Sequence, residues 1–338
     1  MKKHLKWVSV LGLSVSISTH VYGQSTQQSD PEFEKCLLKQ IQTATADTTV
    51  AELKNNCLQQ LTNQPTFKTG AISNRFISEK ANAFDPYVIT PHKMNYILPA
   101  SITDGINQTA YQNFSNWSSN LEDLEAKFQL SIKVPLNKNN IFTEGDGLFF
   151  GMTLQSWWQV YSSNISKPFR ETNYQPEVFY ITPLNWHPFE GNTGLIVGLE
   201  HQSNGRSQLL SRSWNRAYLN FLYEKDNFAL SFRPWWRLPE DERIDPLSTE
   251  GDDNPDIDDY MGHFELATVY KWHHYELSAK ARQNFATHKG ALELGFTFPL
   301  WGKLRGYAQY FNGYGESLID YNHNQQRFGI GIALTDIL

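Results

Sequence analysis

His201, Ser203 and Asn215 are the residue types of an acyl-transfer triad, and their spacing lets them meet on one surface. Side chains along a strand alternate between faces, so His201 and Ser203 emerge on the same side as Leu195, Val197 and Leu199. In the next apolar alternation, Asn215 shares its side with Ala217, Leu219 and Phe221. A serine hydroxyl is a poor nucleophile at its free pKa, and a histidine two positions along the strand can take its proton. The connection from Ser203 to Arg212 permits an antiparallel return that sets Asn215 beside His201. There an amide orients the imidazole without lending it negative charge. In a soluble protein the shared side would be core, whereas in a membrane barrel it faces lipid. The chemistry implied is a hydrolase whose substrate is the membrane. H-x-S by itself is a weak signal, and the alternative is a polar cluster that serves only structure. Its apolar surroundings favour chemistry, because an unpaired polar group facing hydrocarbon is costly.

Positioning such a site requires an exported barrel. Lys2, Lys3 and Lys6 precede an apolar run from Trp7 to about Ile17, and Val21 and Gly23 offer small residues for cleavage before Gln24. Residues 1–23 are therefore expected to be a signal peptide. Beyond them no stretch reaches the roughly 20 consecutive apolar residues of a spanning helix. The mean hydropathy of -0.50 is that of a polar chain. The rest alternates instead. Phe128, Leu130, Ile132 and Val134 interleave with Lys127, Gln129, Ser131 and Lys133, and Phe328, Ile330, Ile332 and Leu334 interleave with Arg327, Gly329 and Gly331.

Such runs give twelve candidate strands, at 94–101, 125–135, 148–162, 175–185, 194–203, 212–224, 228–237, 258–271, 274–283, 290–299, 303–313 and 326–335. Tight connections such as Lys225-Asp-Asn227 and Trp272-His-His274 alternate with longer ones at 238–256, 284–289 and 314–325. An even strand count with short turns at one end and longer loops at the other fits an all-β, 12-stranded antiparallel transmembrane β-barrel. Trp157, Trp158, Trp235, Trp236, Trp272 and Trp301 fall near strand ends, where interfacial aromatic belts belong, and Leu338 ends the chain as an apolar assembly signal would.

Residues 24–85 differ, with Phe33, Leu37, Leu38 and Ile41, then Leu53, Cys57 and Leu61, at helical spacing around a break at 43–49. They are expected to form a helical hairpin in the periplasm ahead of a barrel over 86–338. Cys36 and Cys57 are the only cysteines, and a disulfide accounts for them better than zinc, because no His lies beside them. With 29 Lys and Arg against 35 Asp and Glu, no basic stripe speaks for nucleic acid. Acidic residues gather at Glu240, Asp241 and Glu242 and again at 252–259, where a solvated loop is a sufficient reading. Asp252, Asn254 and Asp256 have the spacing that opens an EF-hand, but Ile257 stands where that loop needs Gly.

Several longer motifs occur in order: Ser156-Trp-Trp-Gln159, Pro168-Phe-Arg-Glu-Thr-Asn-Tyr174, the stretches beginning at His201 and Ser211, Asp252-Asp-Asn-Pro-Asp256, Tyr260-Met-Gly262 and Tyr314-Gly-Glu-Ser-Leu-Ile-Asp-Tyr-Asn322. Together they resemble the outer membrane phospholipase A family of Gram-negative bacteria across about residues 85–338. The resemblance implies a twelve-stranded barrel in the bacterial outer membrane, with Ser203 as nucleophile, His201 as base and Asn215 orienting it. It also implies calcium, held in an active homodimer by main-chain carbonyls at Arg206 and Ser211 and by Ser166 of the partner subunit. The substrates implied are phospholipids and lysophospholipids, cleaved with A1, A2 and lysophospholipase activity. Three departures stand out: Leu154 where the family can carry Gln, with Gln155 adjacent; Gln208 in place of an Asp that can join Asp253 in a second calcium site; and the cysteine segment. The competing classes are a passive barrel, as pore or adhesin, and a barrel protease whose acidic and His residues would line the lumen.

Overall fold

The structure, a computed structural model, describes residues 31–44, 48–50, 52–54, 56–57, 70, 72–73, 75–76, 79, 90–245, 248, 250–302 and 304–335. The expected signal peptide and Leu338 lie outside the described residues. Contacts divide the chain into two compact units, residues 1–66 and 67–338. In the first, helix α1 spans Pro31–Thr43. The described residues between Val50 and Cys57 are also helical. Thr49 and Glu52 start that second helix with a reciprocal cap: the Thr49 N–H donates to Glu52 Oε2 at 2.9 Å, and the Glu52 N–H to Thr49 Oγ1 at 3.3 Å. Cys36 and Cys57 are joined as a disulfide, and Cys57 is fully buried.

The second unit is a closed antiparallel barrel. Its strands are β2 (Tyr96–Thr103), β3 (Leu124–Pro135), β4 (Gly147–Trp158), β5 (Phe169–Leu184), β6 (Asn192–Ser203), β7 (Ser213–Lys225), β8 (Phe228–Leu238), β9 (Phe264–Trp272), β10 (Tyr275–Asn284), β11 (Lys289–Trp301), β12 (Leu304–Tyr314) and β13 (Asn324–Ala333). Each pairs with the next, and β13 returns to β2, so no edge is left open. A two-residue β1, Thr90–Pro91, continues the pairing along β3. Apolar side chains alternate outward: Leu130, Ile132, Val134, Leu199, Phe221, Leu277, Phe328 and Ile330 are all exposed. So continuous an apolar girdle is a lipid-facing surface.

Three expectations are corrected here. The strand expected at 258–271 begins only at Phe264, because Ile257–Met261 is a short helix whose buried Ile257 and Met261 pack with Trp214 and Trp235. Gly262, at φ 69°, ends that helix with its N–H on the Asp258 carbonyl. The strand expected at 175–185 starts earlier, at Phe169, where polar residues blur the alternation. Trp157 pairs with Glu171 and Trp158 with Phe169, so Arg170 is the extra residue of a bulge and turns inward. Finally, Trp157 and Trp235 are buried in the lumen, while Trp236, Trp272 and Trp301 are exposed. Adjacent tryptophans on a strand must point to opposite faces, so both members of a pair cannot serve an interfacial belt.

The lumen is filled with paired charge. Arg170 bridges Glu125 at 2.7 Å and Asp320 at 3.0 Å, and Arg327 bridges Glu125 at 2.9 Å and Glu316 at 2.7 Å. Lys127 meets Glu316 at 2.7 Å and Gln309 at 2.8 Å. Lower down, Glu177 accepts from Tyr218 at 2.6 Å and pairs with His92 at 2.8 Å and Lys93 at 3.1 Å. At the barrel end opposite the start of β2 and the end of β13, the connection 315–323 folds over the lumen. Its Leu318 and Tyr321 pack with Trp214, Trp235, Ile257 and Met261. At the other end, the N–H of Ile72 donates to Glu224 at 2.7 Å and that of Ser73 at 3.2 Å, while Glu79 pairs with Lys133 at 2.6 Å. The described residues of 70–79 thus lie with the barrel, although the expected extension ran to residue 85. A lumen so occupied is not built as an open pore.

Two outcomes are expected from this architecture. Mass spectrometry of unreduced mature protein should recover the Cys36 and Cys57 peptides as one linked species. The double variant Cys36→Ser with Cys57→Ser should still migrate as a folded, heat-modifiable barrel, since the closed ladder lies in residues 67–338. Two free thiols, or a barrel lost with the bridge, would contradict this. The second concerns Glu316, where burial alone would raise the carboxyl but Arg327 and Lys127 outweigh it and hold it at about 2, below its ordinary 4.5. A depressed carboxyl stabilises the fold above its unfolded pKa and loses that contribution as pH falls through the folded one, so stability should drop between about pH 4.5 and 2 by about 3 kcal/mol. Urea unfolding in detergent should show this slope flattened in Glu316→Gln, which should also be less stable at pH 7 because Lys127 is left unpaired. An unchanged slope would rule the assignment out.

Candidate active site

Antiparallel β6 and β7 place His201 opposite Asn215 and Ser203 opposite Ser213. All four point outward, in the same sense as Leu199 and Ala217, and they lie at the rim opposite the start of β2 and the end of β13. His201 Nδ1 stands 2.8 Å from Asn215 Oδ1. Asn215 Nδ2 in turn donates to Glu240 Oε1 at 2.9 Å, just past the end of β8. A carboxylate can only accept, so the amide nitrogen faces Glu240 and the amide oxygen faces His201. An oxygen at that position requires the proton of the neutral ring on Nδ1, which leaves Nε2 as a free base. Ser203 follows two residues on, its Cα about 6.6 Å from that of His201 in an extended strand. On the other side, Tyr174 of β5 pairs with Ser203. The Tyr174 ring also lies where a Cβ on Gly205 would touch it, at 3.3 Å, and Gly205 has the left-handed φ of 61° that a glycine takes without strain.

The connection 204–212 is shaped by one buried amide. Asn204 Oδ1 accepts from the N–H of Arg206 at 3.2 Å and of Arg212 at 3.0 Å, and its Nδ2 donates to the Leu210 carbonyl at 2.8 Å. These bonds draw the two ends of the loop together, and with them the main chain at Arg206 and Ser211. The Arg212 guanidinium donates to the Ser211 carbonyl at 2.6 Å, so that oxygen already faces positive charge. Uncharged carbonyl and hydroxyl oxygens are donors that suit a hard cation such as calcium. Ser166 lies on a different connection, 159–168, where it is exposed at φ 57° and separated from 204–212 by β5. Within one chain the structure therefore brings together His201, Ser203 and Asn215, and also Arg206 and Ser211, but not Ser166.

Asp253 is occupied by partners of its own. Arg243 forms an ion pair with its Oδ1, and Ser211 Oγ donates to its Oδ2 at 2.6 Å. Two other acidic residues of this connection are similarly engaged. Asp252 pairs with Arg237 at 2.6 Å, and Asp256 accepts from Tyr321 at 2.6 Å. The fully buried Asn254 accepts from the Ser213 N–H at 3.1 Å. The Asp-x-Asn-x-Asp spacing thus ties the connection 239–263 down onto β7 and β8. Among the described residues no three His, Cys, Asp or Glu side chains gather as a metal site. Gln155, adjacent to Leu154, points inward and donates to Tyr96 at 2.9 Å, so it does not replace a polar group on the outer face.

Two members of the site escaped sequence reasoning. Asn204 sits inside the His201 motif, and a turn amide between two strands was the available signal. Glu240 opens an acidic run whose other members face elsewhere, and only its closeness to the end of β8 hinted at a role.

The family model for phospholipase A1 matches residues 72–334. Phospholipase A1 of Salmonella typhimurium is 36% identical over 305 residues, which cover 90% of this chain and 99% of that protein. Phospholipase A1 of Escherichia coli K12 is 38% identical over 270 residues, 79% of this chain and 88% of that protein. Among solved structures, Escherichia coli outer membrane phospholipase A superposes with a TM-score of 0.68 at 37% identity, covering 75% of this chain and 100% of that one. A calcium-bound dimer of the Salmonella typhi outer membrane phospholipase superposes with a TM-score of 0.71 at 38% identity, covering 78% and 98%. The chain belongs to the phospholipase A1 family and is a β-barrel of the bacterial outer membrane.

Proposed function

We propose that this chain hydrolyses acyl esters of glycerophospholipids, at either glycerol position and in lysophospholipids, with Ser203 as nucleophile, His201 as general base and Asn215 as the group that orients His201. The observation that carries this reading is the 2.8 Å contact between His201 Nδ1 and Asn215 Oδ1 on the lipid-facing wall, beside a serine. Ser203 Oγ attacks the ester carbonyl carbon as its proton passes to His201 Nε2. The tetrahedral intermediate collapses when His201 returns that proton to the leaving glycerol oxygen. Water, deprotonated by the same imidazole, then releases the fatty acid from Ser203. Asn215 holds the ring in one tautomer throughout and accepts from Nδ1 while the imidazolium exists.

The reading includes calcium and a second copy of the chain. The carbonyls of Arg206 and Ser211 and the hydroxyl of Ser166 of the partner subunit are the oxygens that would hold the ion, which would supply positive charge to the developing oxyanion. Support comes from the Asn204-closed loop, from the calcium-bound dimer of the Salmonella typhi relative, and from the apolar Leu130, Leu154 and Val178 on the outer face of β3, β4 and β5. Asp253 would add a second site only by releasing Arg243, so a second ion is expected to bind weakly or not at all.

Turnover of a fluorescent phospholipid in detergent with calcium tests the roles. Ser203→Ala should fall to background while keeping a folded barrel. Asn215→Ala should retain measurable activity, its loss staying within the roughly 10²–10⁴-fold that a positioned base contributes. Full activity in Ser203→Ala would remove the assignment. Chelation should abolish hydrolysis without unfolding the barrel, and activity should rise with dimer formation. Ser166→Phe should weaken calcium binding more than Arg206→Ala or Ser211→Ala, because the last two lose side chains and not the liganding carbonyls. A chelated monomer that turns over at the full rate would contradict the calcium and dimer parts of the reading.

A further inference from the structure

An amide in the third position of a triad orients the histidine but leaves the imidazolium without a counter-charge. Here the amide is not the end of the chain of contacts. His201, Asn215 and Glu240 form a relay across β6, β7 and the end of β8, through hydrogen bonds of 2.8 and 2.9 Å. We propose that Glu240 is a positioning residue that lends its negative charge, through Asn215, to the His201 imidazolium. This deepens the reading of His201 as base and rests on it.

The placement of Glu240 is not left to a free loop. The connection that carries it is pinned by Asp252 to Arg237 and by Asn254 to the Ser213 N–H, on the strand that bears Asn215. Its hydrogen bond is charge-assisted, which strengthens it and polarises the amide so that Oδ1 becomes a better acceptor for the imidazolium N–H. Other charges near the relay are held elsewhere. Arg237 pairs with Asp252, Arg243 with Asp253, and Arg212 donates to the carbonyls of Leu209 and Ser211. Arg206 donates to the carbonyls of Phe169 and Arg170. Glu200 and Arg216, the strand neighbours of His201 and Asn215, point into the lumen and pair with each other, with Arg233 also on Glu200. On β5, the neighbour of Ser203 is the neutral Tyr174. Among the described residues, Glu240 is the charged side chain that a hydrogen bond joins to the relay.

The discriminating variant is Glu240→Gln, which keeps the reach and an accepting oxygen but removes the charge. In the full-length enzyme with calcium, kcat should fall roughly tenfold with KM little changed. The acid limb of the kcat/KM profile should move down by about one pH unit, the equivalent of a tenfold loss of imidazolium stability. The direction follows because a less stabilised imidazolium loses its proton at lower pH. Glu240→Asp, which keeps the charge, should hold the limb within about 0.3 unit of wild type. NMR titration of the His201 ring in a Ser203→Ala background reads the same shift without turnover. An equal His201 midpoint with and without the Glu240 charge overturns the relay, as does a Glu240→Asp midpoint as low as that of Glu240→Gln. A midpoint that moves, while the parent enzyme with Ser203 intact hydrolyses no phospholipid in calcium, supports the relay and refutes the proposed function instead.

Discussion

The register between β6 and β7 is the constraint on which the site depends. Side chains alternate between the two faces of a strand, so the pairing that sets His201 opposite Asn215 outside the barrel also sets Glu200 opposite Arg216 inside it. The inner pair is an ion pair buried among Arg233 and Gln202, and a slip of one residue would drag it toward lipid and swing His201 into the lumen. Breaking a buried pair of this kind costs about 3–5 kcal/mol, because it leaves an unmatched charge in a low dielectric. One face of the hairpin therefore holds the register, and the other presents His201, Ser203 and Asn215 together.

The same division runs through the molecule. Inside, the ion pairs of Glu125, Arg170, Glu316 and Arg327 tie β3, β5 and β13 to the connection 315–323. That connection and the helix at 257–261 cover the lumen, so the wall behaves as a rigid support. Outside, the connection 239–263 spends carboxylates on Arg237 of β8 and on Tyr321 of the connection 315–323, and so brings Glu240 to Asn215. Of the acidic residues that look like a solvated loop or a cation site in the sequence, Asp252, Asp253 and Asp256 fasten that loop, while Asp241, Glu242 and Asp259 stay exposed. Polar groups on an apolar wall are tolerable here because His201 and Asn215 sit at the rim and hydrogen-bond to each other and to Glu240.

Alternation made much of this fold legible in the sequence, since a lipid-facing wall demands apolar residues at every second position and polar ones between them. The parity of His201 and Ser203 with Leu199 was visible for the same reason. Where alternation fails, the sequence was silent. The bulge at Arg170 places two successive polar residues inward, and no periodic pattern announces it. Ile257 and Met261 are helically spaced within a run that also continues into a strand, so the helix was absorbed into it. Paired tryptophans at 157–158 and 235–236 suggested belts, but one of each pair serves the interior. Glu240 was beyond reach for another reason: its partner lies 25 residues away, and only the folded connection reveals that the two meet. Contacts between one loop and the wall leave no local trace.

The central claim is that Ser203 is a nucleophile activated by His201 on the lipid-facing wall. A lipid-tailed fluorophosphonate tests it directly, since attack by Ser203 Oγ on phosphorus expels fluoride and leaves a stable bond that peptide mass spectrometry can locate. The account predicts one adduct per chain, on Ser203, formed in calcium and suppressed in His201→Ala. An unlabelled Ser203, or labelling that proceeds at the same rate without His201, would contradict it.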